Sequence, residues 1–127
     1  MLVERVEGFA THAQWQRAYQ EINDFEKQLT EAKACVLKFW LHIDQDEQLN
    51  RFQLRERTRY KKYKITEEDY RNREKWKLYT QAANDMIENT HSAAAPWYLI
   101  PANCKRFARV KILEAICEEL ENALKKI

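Results

Sequence analysis

Two apolar runs constrain this chain more than any other feature: "CVLKFWLHI" from Cys35 to Ile43, and "WYLIPA" from Trp97 to Ala102. Neither alternates apolar with polar residues. Near-continuous runs rich in β-branched and aromatic side chains read as strands covered on both faces, the habit of a parallel sheet. Lys38 and His42 are the polar exceptions in the first run, and His42 reads as a strand end or a core histidine rather than a catalyst. Parallel strands require a long crossover, and about fifty residues of helical pattern lie between the two runs. The expected order is helix, strand, helical excursion, strand, helix.

Local signals place the helices. Thr11-x-x-Gln14 is a capping box, followed at helical spacing by Trp15, Ala18, Tyr19, Ile22, Phe25 and Leu29, which predicts a helix over about 12–30. Asp44-x-x-Glu47 opens another, on which Leu49 and Phe52 point one way while Arg51 and Arg55, four apart, share a different face as an outline anion clamp. Thr66 is a third N-cap, with Asp69 reaching back and Glu67, Glu68 and Asp69 placed where the helix dipole favours negative charge. That helix is expected to run unbroken through Trp76, Tyr79, Ala83, Met86, Ile87 and Thr90. Asn103 is the expected cap of the last helix, whose Phe107, Val110, Leu113, Cys117, Leu120 and Leu124 form the stripe expected to cover the sheet.

Two strands are too few to stand alone with both faces covered and both edges bare, so the chain reads as the second part of a larger α/β domain. At 127 residues it fits one domain, with no internal repeat or low-complexity tract. No apolar run approaches the ~20 residues of a membrane helix, and the N-terminal "MLVERVEGFA" lacks a leader pattern. A soluble, cytoplasmic protein is expected. Cys35, Cys104 and Cys117 suit neither a disulfide frame nor a metal site and are expected as reduced thiols, with Cys35 and Cys117 in the core.

Charge is unevenly placed. The net value is +2, yet Asn50 to Lys77 holds eleven Lys/Arg against five Asp/Glu, leaving the remainder at −4. Such a segment attracts polyanions, from phosphate chains and nucleotides to RNA, unless it is only a solvated face.

Six blocks in order, "LVERVEGFA", "RAYQEINDFEKQL", "KFWLHIDQDEQLNRFQLRE", "YKKYKITEEDYRNREKW", "APWYLIPAN" and "KRFARVKILEAIC", resemble the second polyphosphate kinase family, and within it the polyphosphate:AMP phosphotransferase branch. The resemblance covers nearly the whole chain. It implies an α/β fold, as part of a P-loop-kinase-like parallel sheet with flanking helices and a helical lid over about 46–90, mostly helical by residue count. Residues 1–127 would be the C-terminal portion of such a domain. The implied reaction is phosphoryl transfer from polyphosphate to AMP, giving ADP, with Mg²⁺ as cofactor. Arg51, Arg55, Lys64, Arg71 and Arg73 are implied as phosphate contacts, Arg5 more weakly, and Asn103 as a nucleotide contact. Polyphosphate and AMP or ADP are the implied partners, with neither membrane nor DNA, and either a homo-oligomer or an N-terminal half completes the assembly.

The departures are informative. With Gly8 as its single glycine, the sequence holds no Gly-rich phosphate loop, so no catalytic residue is assigned and the chain alone is expected to be inactive. Cys104 stands where the family usually has Asp, Arg59 where it has Pro, and Tyr70 where it has Trp; the turn before Cys35 lacks the usual Gly. The alternative function is a non-enzymatic module gripping polyphosphate or RNA, with Tyr60, Tyr63 and Tyr70 stacking on bases.

Overall fold

The computed structural model describes residues 1–125. Its elements are α1 (Leu2–Val6), α2 (His12–Glu31), β1 (Lys38–His42), α3 (Gln45–Arg57), a 3-10 helix (Arg59–Lys64), α4 (Glu67–Glu74), α5 (Trp76–Thr90), β2 (Trp97–Pro101) and α6 (Lys105–Leu124). The strands pair in parallel, with Lys38 opposite Trp97 and His42 opposite Pro101. Helices cover both faces. On one side, Ile100 and Ala102 pack with Ala108 and Ile112 of α6, beside Phe39 and Tyr98, whose rings stack with centroids 5.4 Å apart. On the other, Lys38 reaches Glu26 of α2 at 2.5 Å and the Thr90 carbonyl of α5.

Three capping expectations hold. Thr11 and Gln14 form the box that starts α2, Thr66 and Asp69 the box that starts α4, and the Asp44 side chain accepts the Glu47 amide at 2.7 Å. α2 ends in a Schellman turn, in which the Ala34 amide donates to Leu29 O and the Lys33 amide to Thr30 O. This closure forces Lys33 to φ = 68°, a left-handed conformation that favours glycine. Lys33→Gly is therefore expected to stabilise the fold by about 1 kcal/mol, read as a raised urea midpoint at unchanged slope.

Several expectations are corrected. The strands are shorter than the apolar runs, and Leu41 and Leu99 remain exposed, so the sheet is not fully covered. The helix starting after Thr66 is not continuous: it breaks at Lys75 into α4 and α5. Asn103 does not cap α6; Cys104 occupies that position and contributes no side-chain bond. On α6 the stripe from Phe107 to Leu124 faces outward, and the sheet receives Ala108 and Ala115 instead. Small residues let the helix approach over the bulky Phe39–Tyr98 stack, which a leucine-bearing face would hold further off. Phe25 is also exposed, and all three thiols, Cys35 and Cys117 included, are exposed rather than core.

Candidate phosphate-handling site

In parallel α/β sheets the functional loops lie beyond the carboxyl ends of the strands. Here those loops hold Asp44 after β1 and Asn103 after β2, and the two residues grip each other. The Asp44 amide donates to Asn103 Oδ1 at 3.1 Å, and Asn103 Nδ2 donates to Asp44 Oδ2 at 2.5 Å. The Glu47 backbone amide, then the Asn103 amide group, hold the Asp44 carboxyl below its usual range.

Arg51 reinforces this junction from α3. Its Nε donates to Glu47 at 2.7 Å, and its Nη2 to Ala102 O at 2.5 Å and Asn103 O at 3.1 Å. The same guanidinium lowers the Glu47 pKa, with a smaller contribution from Asn50. Arg51 thus ties α3 to the β2–α6 loop. Arg55, one turn on, is half-buried and has no carboxylate partner among the described residues. The two do not form one clamp: Arg51 positions the loop, and Arg55 takes no part in that junction.

The cation-rich segment is fastened at its far end. The Glu7 side chain is 8% exposed and accepts from Lys75 at 2.7 Å, with Arg71 Nε at 3.8 Å. Lys75 first, and then the field of Lys75 and Arg71, depress the Glu7 pKa. Tyr79 also donates to Glu7, at 3.4 Å. Because the folded pKa is the lower one, the stability this anchor contributes is present above the unfolded glutamate value and is lost as pH falls through the folded value. Glu7→Gln should remove that acid-side dependence, checked by comparing the pH profiles of the two proteins' urea midpoints below about pH 5.

Arg73 donates to Gln45 O and Gln45 Nε2 returns a bond to Arg73 O at 3.4 Å, which fixes α4 beside the end of β1. Arg71 is half-exposed and also meets Glu68 at 3.4 Å. Lys64 is exposed and lies over the Tyr63 ring at 5.7 Å, as Lys61 does over Tyr60 at 5.2 Å. Tyr70 is not available for stacking; it packs edge-on to Phe52 and donates to Glu56 at 2.7 Å.

Arg5 lies elsewhere. It donates to Asp85 at 2.6 Å and Tyr19 at 3.0 Å and stacks over Trp15 at 4.1 Å, joining α1, α2 and α5. Burial works against its charge, but these hydrogen bonds outweigh it and raise its pKa. Sequence reasoning missed the Glu7 anchor. Its only signal was an acid in "VERVEGFA", too common a feature to single out.

Parallel strands, helices on both faces and a cation-rich helical insertion at the carboxyl ends are the architecture of an α/β protein of the P-loop-kinase type. Residues 1–127 match the family described as polyphosphate kinase 2, and the chain belongs to that family. It is 60% identical over 123 residues to a polyphosphate:AMP phosphotransferase of Pseudomonas syringae pv. tomato, covering 97% of this chain and 25% of that protein. A solved structure titled putative polyphosphate kinase 2 from Pseudomonas aeruginosa superposes with a TM-score of 0.94 at 57% identity, over 98% of this chain and 27% of that one. Polyphosphate Kinase 2 from Arthrobacter aurescens gives a TM-score of 0.89 at 35% identity, over 94% of this chain and 42% of its own. The chain therefore spans about a quarter of the length of the curated relatives it matches best among these. Among the described residues, no helix is long and apolar enough to cross a membrane.

Proposed function

We propose that this chain is the lid and half-sheet portion of a polyphosphate:AMP phosphotransferase, gripping the polyphosphate during transfer of its terminal phosphoryl group to AMP. The observation that carries this reading is the division of labour among the cations. Arg51 and Lys75 fasten the cation-rich segment near its two ends, while Arg55, Lys64 and Arg71 keep donors toward solvent. In the reaction, an AMP phosphate oxygen attacks the terminal phosphorus, the bond to the penultimate phosphate breaks, and ADP leaves with a polyphosphate one unit shorter. Phosphoryl transfer depends mainly on positioning and charge neutralisation, which guanidinium groups on a closing element supply. Arg73 holds α4 in place, and Asn103, locked to Asp44, sets the loop that faces the nucleotide.

Mg²⁺ belongs to this reading through the family. Among the described residues no three His, Cys, Asp or Glu side chains converge to hold it, so the residues present do not build its site. A cytoplasmic setting fits three free thiols. A second reading, a binding module without turnover, is favoured by the exposed Tyr60 and Tyr63, each with a lysine at its face.

The test is calorimetric binding of long-chain polyphosphate, together with ADP formation from AMP, polyphosphate and Mg²⁺. The chain is expected to bind polyphosphate in a salt-sensitive way and to produce no ADP alone, since its sequence holds one glycine and hence no Gly-rich phosphate loop. Arg71→Ala should weaken binding by about tenfold, the loss of one charge-assisted contact of ~1.5 kcal/mol. Tighter binding to single-stranded RNA at matched salt would favour the second reading. ADP formation sensitive to Arg71→Ala would show that the chain needs no further loop.

A further inference from the structure

Arg71, Lys75 and Tyr79 stand four apart and bring three successive turns to one carboxylate, that of Glu7. The backbone keeps them in line across the break between α4 and α5: the Lys75 amide donates to Arg71 O at 3.3 Å and the Tyr79 amide to Lys75 O at 3.0 Å. Both cations approach the same atom. Lys75 Nζ lies 2.7 Å from Glu7 Oε2, within hydrogen-bond range, and Arg71 Nε lies 3.8 Å from it, outside that range. Tyr79 donates to the other oxygen. Lys75 thus occupies the place on Oε2 that Arg71 is next in line to take.

One of the two has to hold this carboxylate. The Glu7 side chain is 8% exposed, and an enclosed carboxylate left without a cation is strongly unfavourable. Among the described residues, Lys75 and Arg71 are the two cations that meet it. Arg71 is otherwise met by Glu68 at 3.4 Å, an exposed pair of the kind that contributes little. A shift of about 1 Å would bring its guanidinium into hydrogen-bond range of Glu7, where a charge-assisted bond would form. The depressed Glu7 pKa agrees with the present division: the hydrogen bond from Lys75 is its largest cause, and Arg71 acts through its field.

We propose that Lys75 is a positioning residue for Arg71: by holding the Glu7 carboxylate it prevents capture of the Arg71 guanidinium there and leaves it free for a phosphate chain. The inference rests on the reading of Arg71 as a polyphosphate contact. Lys75 counts among the cations of residues 50–77, yet its charge is matched by Glu7, 68 positions earlier, rather than offered to an anion. Removing Lys75 therefore takes a second cation, Arg71, away from the ligand. Removing Glu7 as well gives it back.

The test is calorimetric binding of long-chain polyphosphate to the whole chain, to Lys75→Met, Arg71→Ala and Glu7→Gln, and to their pairwise combinations, with folding checked by circular dichroism. Lys75→Met is expected to weaken binding by about tenfold, and Arg71→Ala added to it by less than about twofold more, because changes that remove one shared contact do not add. Glu7→Gln should return the Lys75→Met chain to within about threefold of the parent, while changing the parent itself by less than that. Losses that add and that Glu7→Gln leaves in place would make Lys75 a phosphate contact itself and overturn the proposal. So would unchanged affinity in Lys75→Met. Proton exchange at Arg71 Nε, followed by NMR without polyphosphate, separates this inference from the reading it rests on. Exchange slowed by about tenfold in Lys75→Met and restored by Glu7→Gln shows the capture, even if the parent chain fails to bind polyphosphate. Unchanged exchange in Lys75→Met overturns it. Should Lys75→Met not fold, titration of the Glu7 carboxyl in Arg71→Ala decides: an unchanged midpoint is expected with Lys75 as the holder, and a marked rise would give that role to Arg71 and overturn the proposal.

Discussion

Lys38→Met is expected to destabilise the protein by about 3 kcal/mol, and Lys38→Met combined with Glu26→Leu to recover most of that loss. The Lys38 and Glu26 side chains are only 12% and 11% exposed and meet at 2.5 Å between β1 and α2. Lys38 also donates to the last carbonyl of α5 at Thr90 and lies over the Trp97 ring at 5.4 Å. Removing the ammonium leaves a carboxylate enclosed and unpaired, which costs more than the pair contributes. Replacing both by apolar residues of similar size removes that penalty. Urea unfolding of the two single variants and the double variant measures this directly. A single-variant loss below about 1 kcal/mol would mean that water compensates Glu26 and that the pair behaves as a surface ion pair.

Phe52→Ala is expected to cost about 3 kcal/mol, most of it in the lid. Phe52 is 6% exposed on α3 and meets the Tyr70 ring of α4 edge-on at 5.4 Å. Tyr70 in turn donates to Glu56, one turn further along α3. This contact sets α4 against α3, so its loss should loosen Arg71 and Arg73 as well as lower the unfolding free energy. A fall in the urea midpoint, with faster amide exchange confined to residues 59–74, is the expected pattern. A uniform increase across the chain would instead place Phe52 in the main core.

Much of the architecture was legible from local chemistry. The capping boxes at Thr11 and Thr66 and the Asp44 cap each declare a helix start through residues three apart, a signal independent of the rest of the fold. The apolar runs located both strands and their parallel sense, because only a parallel sheet sandwiched by helices favours apolar residues on both faces. The excess cations of residues 50–77 were likewise visible as a cluster.

What each cation does was not legible. Arg51 and Arg55 look equivalent along α3, yet Arg51 is held by Ala102 and Asn103, 51 and 52 positions away in sequence, and Arg55 is not. Arg5, read as a weak phosphate contact, is enclosed by Tyr19, Trp15 and Asp85. The break at Lys75 escaped notice because no proline or glycine marks it; Glu7, 68 positions earlier, binds that lysine.

By itself, then, the sequence determined the helix starts, the parallel pair of strands and the basic character of the excursion, since these follow from periodicity and from side chains within one turn of each other. The tertiary structure decided which arginines are fastened and which are free, and which face of α6 meets the sheet. Those outcomes depend on partners distant in sequence and on side-chain volumes meeting across elements, neither of which any local pattern encodes.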